Sequence, residues 1–210
     1  CNVSTGETFI AGRKYLSLCH YFNKEIARVQ SQWHSQQSRK GVKHPKGSKH
    51  ISRLYEKKNN AINDYLHKVT RAVVTYCKDN NINTVVIGDI KNIRKDNNLG
   101  HAANQKLHAL PYRKLYVMLE YKLSLEGISF FKQNEPYSSQ TSPLAPAVDK
   151  SHACKSNRVK RGLYADNDAV WNADCVGAFN IVRLFLKKHK KAVTPDPMAI
   201  QSPYILKVAV

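Results

Sequence analysis

The chain has 210 residues, 42% of them apolar, enough for one sizeable core and with nothing in the length that demands a second domain. Lys and Arg number 34 against 15 Asp and Glu, a formal charge of +19 that points to a polyanionic partner. No apolar run approaches a membrane-spanning length and no signal peptide is visible, so nucleic acid is favoured over membrane.

Five cysteines (Cys1, Cys19, Cys77, Cys154, Cys175) are odd in number, scattered and never paired as C-x-x-C. This argues for a reducing, cytoplasmic compartment and against both a disulfide frame and a thiolate zinc site. A chain that opens on Cys1 rather than Met, within a strand-like segment, is expected to be a fragment.

Val3 to Gly12 is predicted as the end of one strand, a tight turn at Thr5-Gly6 and a second short strand, the stub of a meander. From Tyr15 to about Gln37 the apolar residues Tyr15, Leu18, Phe22, Ile26 and Val29 recur at helical spacing. Arg39 to Lys49 is rich in cations and without period, and is expected to be a mobile basic connector. Residues 50 to 79 form an amphipathic helix through Ile51, Leu54, Tyr55, Ile62, Tyr65, Leu66, Val69, Val73 and Cys77. Its cations lie mostly off that stripe, on a face that is solvated or in part turned to phosphates.

Thr84-Val85-Val86-Ile87 is a β-branched run suited to an inner parallel strand, and Gly88-Asp89 end it. Asp89 therefore stands where open α/β sheets place their ligands, just past a strand's carboxyl end. The loop that follows carries Lys91, Arg94, Lys95 and Lys106, candidates for contact with a nucleic-acid strand. A helix opens after Leu110-Pro111 and closes at Gly127, Ile128 to Phe131 is the next strand, and Glu135 lies just beyond it. Strand, helix, strand, helix gives an α/β fold class with a mixed sheet. Residues 142 to 160 are Pro- and Ser-rich and then basic, and 162–165 with 169–171 read as a small hairpin.

The hairpin leads into Asn172-Ala173-Asp174-Cys175-Val176-Gly177-Ala178-Phe179-Asn180, the start of the last helix. Asn172 is a good N-cap, and Asp174 falls in the first turn, where free N–H groups favour a carboxylate. Phe179, Val182 and Leu186 share one stripe and Ile181 with Phe185 another, so this helix should be buried over most of its circumference. The segment after Lys188 has no strong pattern and is expected to be a loose tail.

Asp89, Glu135 and Asp174 can converge at one edge of such a sheet. Clustered carboxylates repel unless cations lie between them, and hard oxygen ligands that retain waters suit Mg²⁺ or Mn²⁺. Two such ions roughly 3.5–4 Å apart can drive phosphodiester cleavage, and the surplus of Lys and Arg would hold the phosphates. Acids at strand ends also serve as caps and turn residues, so the pattern alone leaves a structural role open.

Five ordered segments carry a more specific signal. Asn63-Asp64-Tyr65-Leu66-His67-Lys68-Val69-Thr70-Arg71, Val86-Ile87-Gly88-Asp89-Ile90-Lys91, Asn104-Gln105-Lys106-Leu107-His108, Glu135-Pro136-Tyr137-Ser138-Ser139-Gln140-Thr141 and Asn172 to Asn180 together resemble the OrfB/TnpB proteins of bacterial and archaeal insertion sequences. That family is similar to the type V CRISPR effectors. The resemblance covers about residues 3 to 188.

It implies an RNA-guided, Mg²⁺-dependent DNA endonuclease with an RNase H-like (RuvC) fold, a mixed sheet flanked by helices, with target DNA and guide RNA as partners and no membrane. In it Asp174 is the acid of the third RuvC motif. Many members carry Glu-Asp-Leu after the central strand where this chain has Gly88-Asp89-Ile90, so Glu135 becomes the relocated ligand, with Asp89 a further candidate beside it. Tyr137, Ser138, Gln140, Arg158, Lys160 and Arg161 join the loop after Asp89 as expected nucleic-acid contacts.

Two departures qualify this. The family's first metal-binding aspartate and its N-terminal lobe lie upstream of anything equivalent to Val3, so the chain is expected to be a C-terminal part, inactive alone. Ser142-Pro143-Leu144-Ala145 replaces the first Cys-x-x-Cys of the zinc ribbon and no second pair precedes Trp171; His152 and Cys154 do not supply four ligands, and no zinc is expected. The expected organisation is a partial RuvC domain over 1–188, with an insert at 136–171 in place of the ribbon, and a tail over 189–210. A non-catalytic, basic DNA- or RNA-binding remnant of a decayed insertion element is the competing reading.

Overall fold

The structure, a computed structural model, describes residues 1–2, 5, 7–11, 14–89, 111–160, 162–166, 169–191, 195–206 and 208. Lys91, Arg94, Lys95, Lys106 and Arg161, expected to contact nucleic acid, lie outside the described residues. The chain divides into two compact units, one of residues 11–73 and 207–210, the other of residues 1–10 and 74–206.

In the first unit α1 (Lys14–Arg39) is followed by the start of α2 (Lys49–Asp79). Tyr15, Cys19 and Ile26 of α1 and Ile51, Tyr65, Leu66 and Val69 of α2 are buried, as their helical spacing requires. The Tyr65 hydroxyl accepts from the Lys14 N–H at 3.1 Å, a free donor of the first turn of α1. The connector is held rather than mobile. Gly41, at φ +76°, lets Val42 N–H return to the Gln37 carbonyl at 3.0 Å, the Trp33 indole donates to the Lys46 carbonyl at 2.8 Å, and Ser48 caps α2 by accepting from Ile51 N–H at 3.2 Å.

In the second unit α2 ends at Asn81, whose φ of +54° turns the chain so that Ile82 N–H bonds the Cys77 carbonyl at 2.8 Å. β2 (Thr84–Gly88) pairs in parallel with β3 (Ser129–Gln133), Thr84 opposite Ser129 and Gly88 opposite Gln133. Between them in sequence lies α3 (Tyr112–Leu125), closed by Gly127 at φ +70°. β4 (Leu163–Asp166) and β5 (Ala169–Asn172) form the expected antiparallel hairpin, with Tyr164 opposite Trp171 and both rings buried. α4 (Ala173–Lys188) follows at once.

The core gathers Tyr164, Trp171, Ala173, Cys175, Val176, Phe179 and Ile200. Each of the larger side chains contributes roughly 1.5–3 kcal/mol by leaving water. Ile200 corrects the loose tail: Pro197–Ile200 is a 3₁₀ turn capped by Asp196, Ile200 is fully buried, and β6 (Tyr204–Ile205) pairs in parallel with β1 (Phe9–Ile10). Val3, Ser4, Gly6 and Gly12 of the meander expected at the start lie outside the described residues, and Asn2 N–H donates to the Glu7 carbonyl at 2.8 Å. β1 takes its partner from the far end of the chain.

The mixed sheet also needs revision. Among the described residues the strands form three separate two-stranded pairs, two parallel and one antiparallel. Strands of two to five residues offer few ladder bonds, and helices, chiefly α4, supply the packing surface instead. The overall class, α/β, stands.

The described residues of the insert at 136–171 are held by hydrogen bonds. Thr141, fully buried, bridges Ala153. The Gln140 carbonyl accepts from Cys154 N–H at 2.9 Å and from the Tyr164 hydroxyl at 3.2 Å, and Ala165 N–H donates to the Asn157 carbonyl at 2.8 Å. Asp149 accepts from Ser151 and His152 in a compact turn, while the Cys154 thiol meets Ser156 Oγ at 2.9 Å.

Candidate carboxylate site at the ends of β2 and β3

The parallel register puts Gly88 and Gln133 side by side, and one further ladder bond, from Asp89 N–H to the Gln133 carbonyl at 2.8 Å, carries the pairing to Asp89. The Tyr116 hydroxyl of α3 donates to the Gly88 carbonyl at 2.7 Å. Asp89 is thus delivered at the end of a braced strand. Glu135 lies two residues past β3, its N–H donating to the Asn134 side chain at 3.0 Å.

The Glu135 side chain folds back over Gly88. A Cβ added at Gly88 would stand 2.8 Å from Glu135 Cδ, closer still to its Oε2, and 3.1 Å from Ile181 Cδ1. A side chain there would displace the Glu135 carboxyl from this position. Burial pushes the Glu135 carboxyl above its ordinary pKa, and the neighbouring Asp89 carboxylate adds to the shift. Two acids have been brought together at the place where β2 and β3 end.

Asp174 is delivered differently. Asn172 caps α4, its Oδ1 accepting from Asp174 N–H at 3.0 Å and Cys175 N–H at 3.2 Å, and Asp174 is exposed in the first turn. It lies on the same helical face as Ile181, seven residues on, a rise of about 10 Å, and Ile181 is the residue that approaches Gly88. The carboxylate that adds to the Glu135 shift is Asp89. Among the described residues no three His, Cys, Asp or Glu side chains form a group able to hold a metal ion.

A divalent cation nonetheless fits the pair. Mg²⁺ keeps several waters and commonly takes only one or two carboxylates beside substrate phosphates, and a partly buried carboxyl raised by a second acid is relieved by a cation between them.

Of the expected nucleic-acid contacts, Tyr137, Arg158 and Lys160 are exposed and Gln140 is half-buried. Ser138 is buried, and its carbonyl accepts from the Asn180 side chain at 2.8 Å. Sequence reasoning missed Gly88, Tyr116, Asn180 and Arg183. Asn180 did carry a signal, being an amide among apolar residues of a helix expected to be buried.

Residues 1–94 match a family model described as OrfB_IS605, probable transposase, and residues 112–181 match the Cas12f1-like TNB domain. No curated protein matches the chain. Among solved structures, a cryo-EM structure of the Cas12f1–sgRNA–target DNA complex is similar at 17% identity and a TM-score of 0.55, over 78% of this chain and 41% of that one. A cryo-EM structure of the CRISPR–Cas12f ternary complex is similar at 17% identity and a TM-score of 0.55, over 85% of this chain and 34% of that one. This chain thus spans well under half the length of either relative. No helix among the described residues is long and apolar enough to cross a membrane.

Proposed function

We propose that the chain, which matches the OrfB_IS605 model over residues 1–94 and the Cas12f1-like TNB domain over residues 112–181, is TnpB/Cas12f-like and forms the C-terminal nuclease part of a transposon-encoded, RNA-guided DNA endonuclease acting in the cytoplasm of a bacterium or archaeon. The observation that carries this reading is the Glu135 carboxyl folded over Gly88 beside Asp89, with its pKa raised by burial and by that second acid. A surface charge pattern alone would not produce it.

Asp89 and Glu135 would hold Mg²⁺ or Mn²⁺, with Asp174 completing the site once substrate is present. A divalent cation there would supply Lewis-acid charge to the oxygens around the phosphorus under attack. The chain's own residues do the rest. Gly88 gives the Glu135 carboxyl its place, Tyr116 braces the end of β2, and α4 presents Asp174 on the face that reaches Gly88. Exposed Arg158 and Lys160, with Lys91, Arg94, Lys95, Lys106 and Arg161, neutralise phosphates of the target DNA and guide RNA. Tyr137 offers a ring for stacking on an unpaired base. No zinc takes part.

The test is cleavage of guide-matched DNA by the full open reading frame with its guide RNA. Cutting should require Mg²⁺ or Mn²⁺ and vanish in Glu135→Ala and in Asp174→Ala; cutting that survives both variants, or proceeds in chelator, sinks the proposal. Only two of the three acids converge, and this favours one rival, a non-catalytic nucleic-acid-binding remnant. Salt-sensitive binding of nucleic acid with no cleavage by the full frame under any divalent ion would establish that rival.

A further inference from the structure

Asn180 is a fully buried amide on α4. Its Nδ2 donates to the carbonyls of Ser138 and Thr141, both at 2.8 Å, and its Oδ1 accepts from the Arg183 guanidinium at 3.0 Å. Arg183, half-buried one turn on, also donates to the carbonyls of Ser142 and Pro143 at 3.4 and 3.5 Å, and at close range to that of Ala145. Two side chains of one helix therefore satisfy five backbone oxygens of the segment 138–145. Buried polar groups paired this completely are costly to disturb and rigidify what they hold.

The segment they hold begins at Glu135. The Glu135 carbonyl accepts from Ser138 N–H at 3.4 Å, and the Tyr137 carbonyl accepts from Gln140 N–H at 3.0 Å and Thr141 N–H at 3.1 Å. Tyr137 sits at φ +61°, a left-handed conformation that costs a non-glycine residue about 1–2 kcal/mol and needs support from outside the turn. The next residue of the helix, Ile181, packs toward Gly88. Positions 180 and 181 of α4 thus grip the Glu135 turn and the end of β2 together.

We propose that Asn180 and Arg183 form a positioning latch, which sets where the Glu135 carboxyl stands relative to Asp89 without either residue touching cation or substrate. The proposal rests on the reading of Asp89 and Glu135 as cation ligands, so its test carries a readout that does not depend on a cation. The protein is the 210-residue chain, the probe is Mn²⁺ followed by electron paramagnetic resonance, and amide hydrogen exchange reports on residues 138–145.

Asn180→Asp keeps the side-chain volume and removes both donors. It should weaken Mn²⁺ binding by about tenfold or more, the worth of two hydrogen bonds of ordinary net strength, and speed exchange across the turn. Arg183→Lys keeps the charge but offers one ammonium to carbonyls spread over four residues, so it should weaken binding by a smaller factor. Val176→Ala, in the core of the same helix, should lose stability yet leave Mn²⁺ affinity within about twofold of the parent.

Folded Asn180→Asp and Arg183→Lys proteins with unchanged Mn²⁺ affinity and unchanged exchange at 138–145 would overturn the latch. If Asn180→Asp does not fold, Arg183→Lys decides by the same two readouts. If the unsubstituted chain binds no Mn²⁺, Asp89 and Glu135 alone do not hold a cation; the latch is then upheld by faster exchange in the two variants but not in Val176→Ala, and refuted by its absence.

Discussion

Gly88→Ala tests the site with one methyl group. The new Cβ would stand 2.8 Å from Glu135 Cδ and 3.1 Å from Ile181 Cδ1, whereas carbon atoms pack at about 3.5–4.0 Å, so the carboxyl must retreat by about 0.7 Å or more. The obstructing group is the end of a flexible side chain, so the retreat is cheap. Removing glycine from a strand gains about 0.5–1 kcal/mol and mild overpacking against Ile181 costs about 1 kcal/mol. Net stability should therefore change by less than about 1 kcal/mol.

Function should not be spared in the same way. A ligand displaced by about 1 Å can cost about a hundredfold in rate. The assays are urea unfolding of the chain, Mn²⁺ binding by electron paramagnetic resonance, and guided DNA cleavage by the full open reading frame carrying the substitution. A Gly88→Ala protein that binds Mn²⁺ and cuts DNA like its parent would show that the Glu135 carboxyl does not need the place it occupies over Gly88.

Three further outcomes follow from the same geometry. The Glu135 carboxyl is raised first by burial and then by Asp89 from its ordinary value of 4.5, so the folded state keeps a proton that the unfolded chain releases, and stability falls as pH rises from 4.5 through the raised value. Glu135→Gln should remove that decline, and without divalent ions should be the more stable protein at neutral pH; parallel stability–pH curves for the two would refute the assignment. Ile200→Ala should destabilise the chain by about 2–5 kcal/mol in urea unfolding, whereas a loss under about 0.5 kcal/mol would mean the segment after Lys188 contributes little to the core. Lys43→Ala with Lys46→Ala should lower the slope of log affinity against log salt for duplex nucleic acid by about 0.9 for each phosphate no longer neutralised; an unchanged slope would leave the α1–α2 connector outside the binding surface.

Local order was legible from the residues alone. Helical period located α1, α2 and α4 to within a few positions, Asn172 and Gly127 marked a helix start and a helix stop, and the hairpin before α4 was readable from its turn and its alternating residues. These features depend on neighbours within a few positions, and short-range spacing records them. The ordered motifs likewise pointed to the OrfB_IS605 and Cas12f1-like models that match residues 1–94 and 112–181, and to three acids to look for.

Pairings between distant parts of the chain were decided only on folding. Nothing in Phe9-Ile10 says that its partner is Tyr204-Ile205, or that Ile200 fills the core, because strand partners and burial depend on what else competes for the same surface. The acids illustrate the same limit. Each was visible as a strand-end or helix-start carboxylate, but that the Glu135 side chain folds back toward the end of β2 follows from the bare Gly88 beneath it and from Asn180 and Arg183 gripping its turn. Those contacts span some forty to fifty residues of sequence, and close packing, not local preference, selects them.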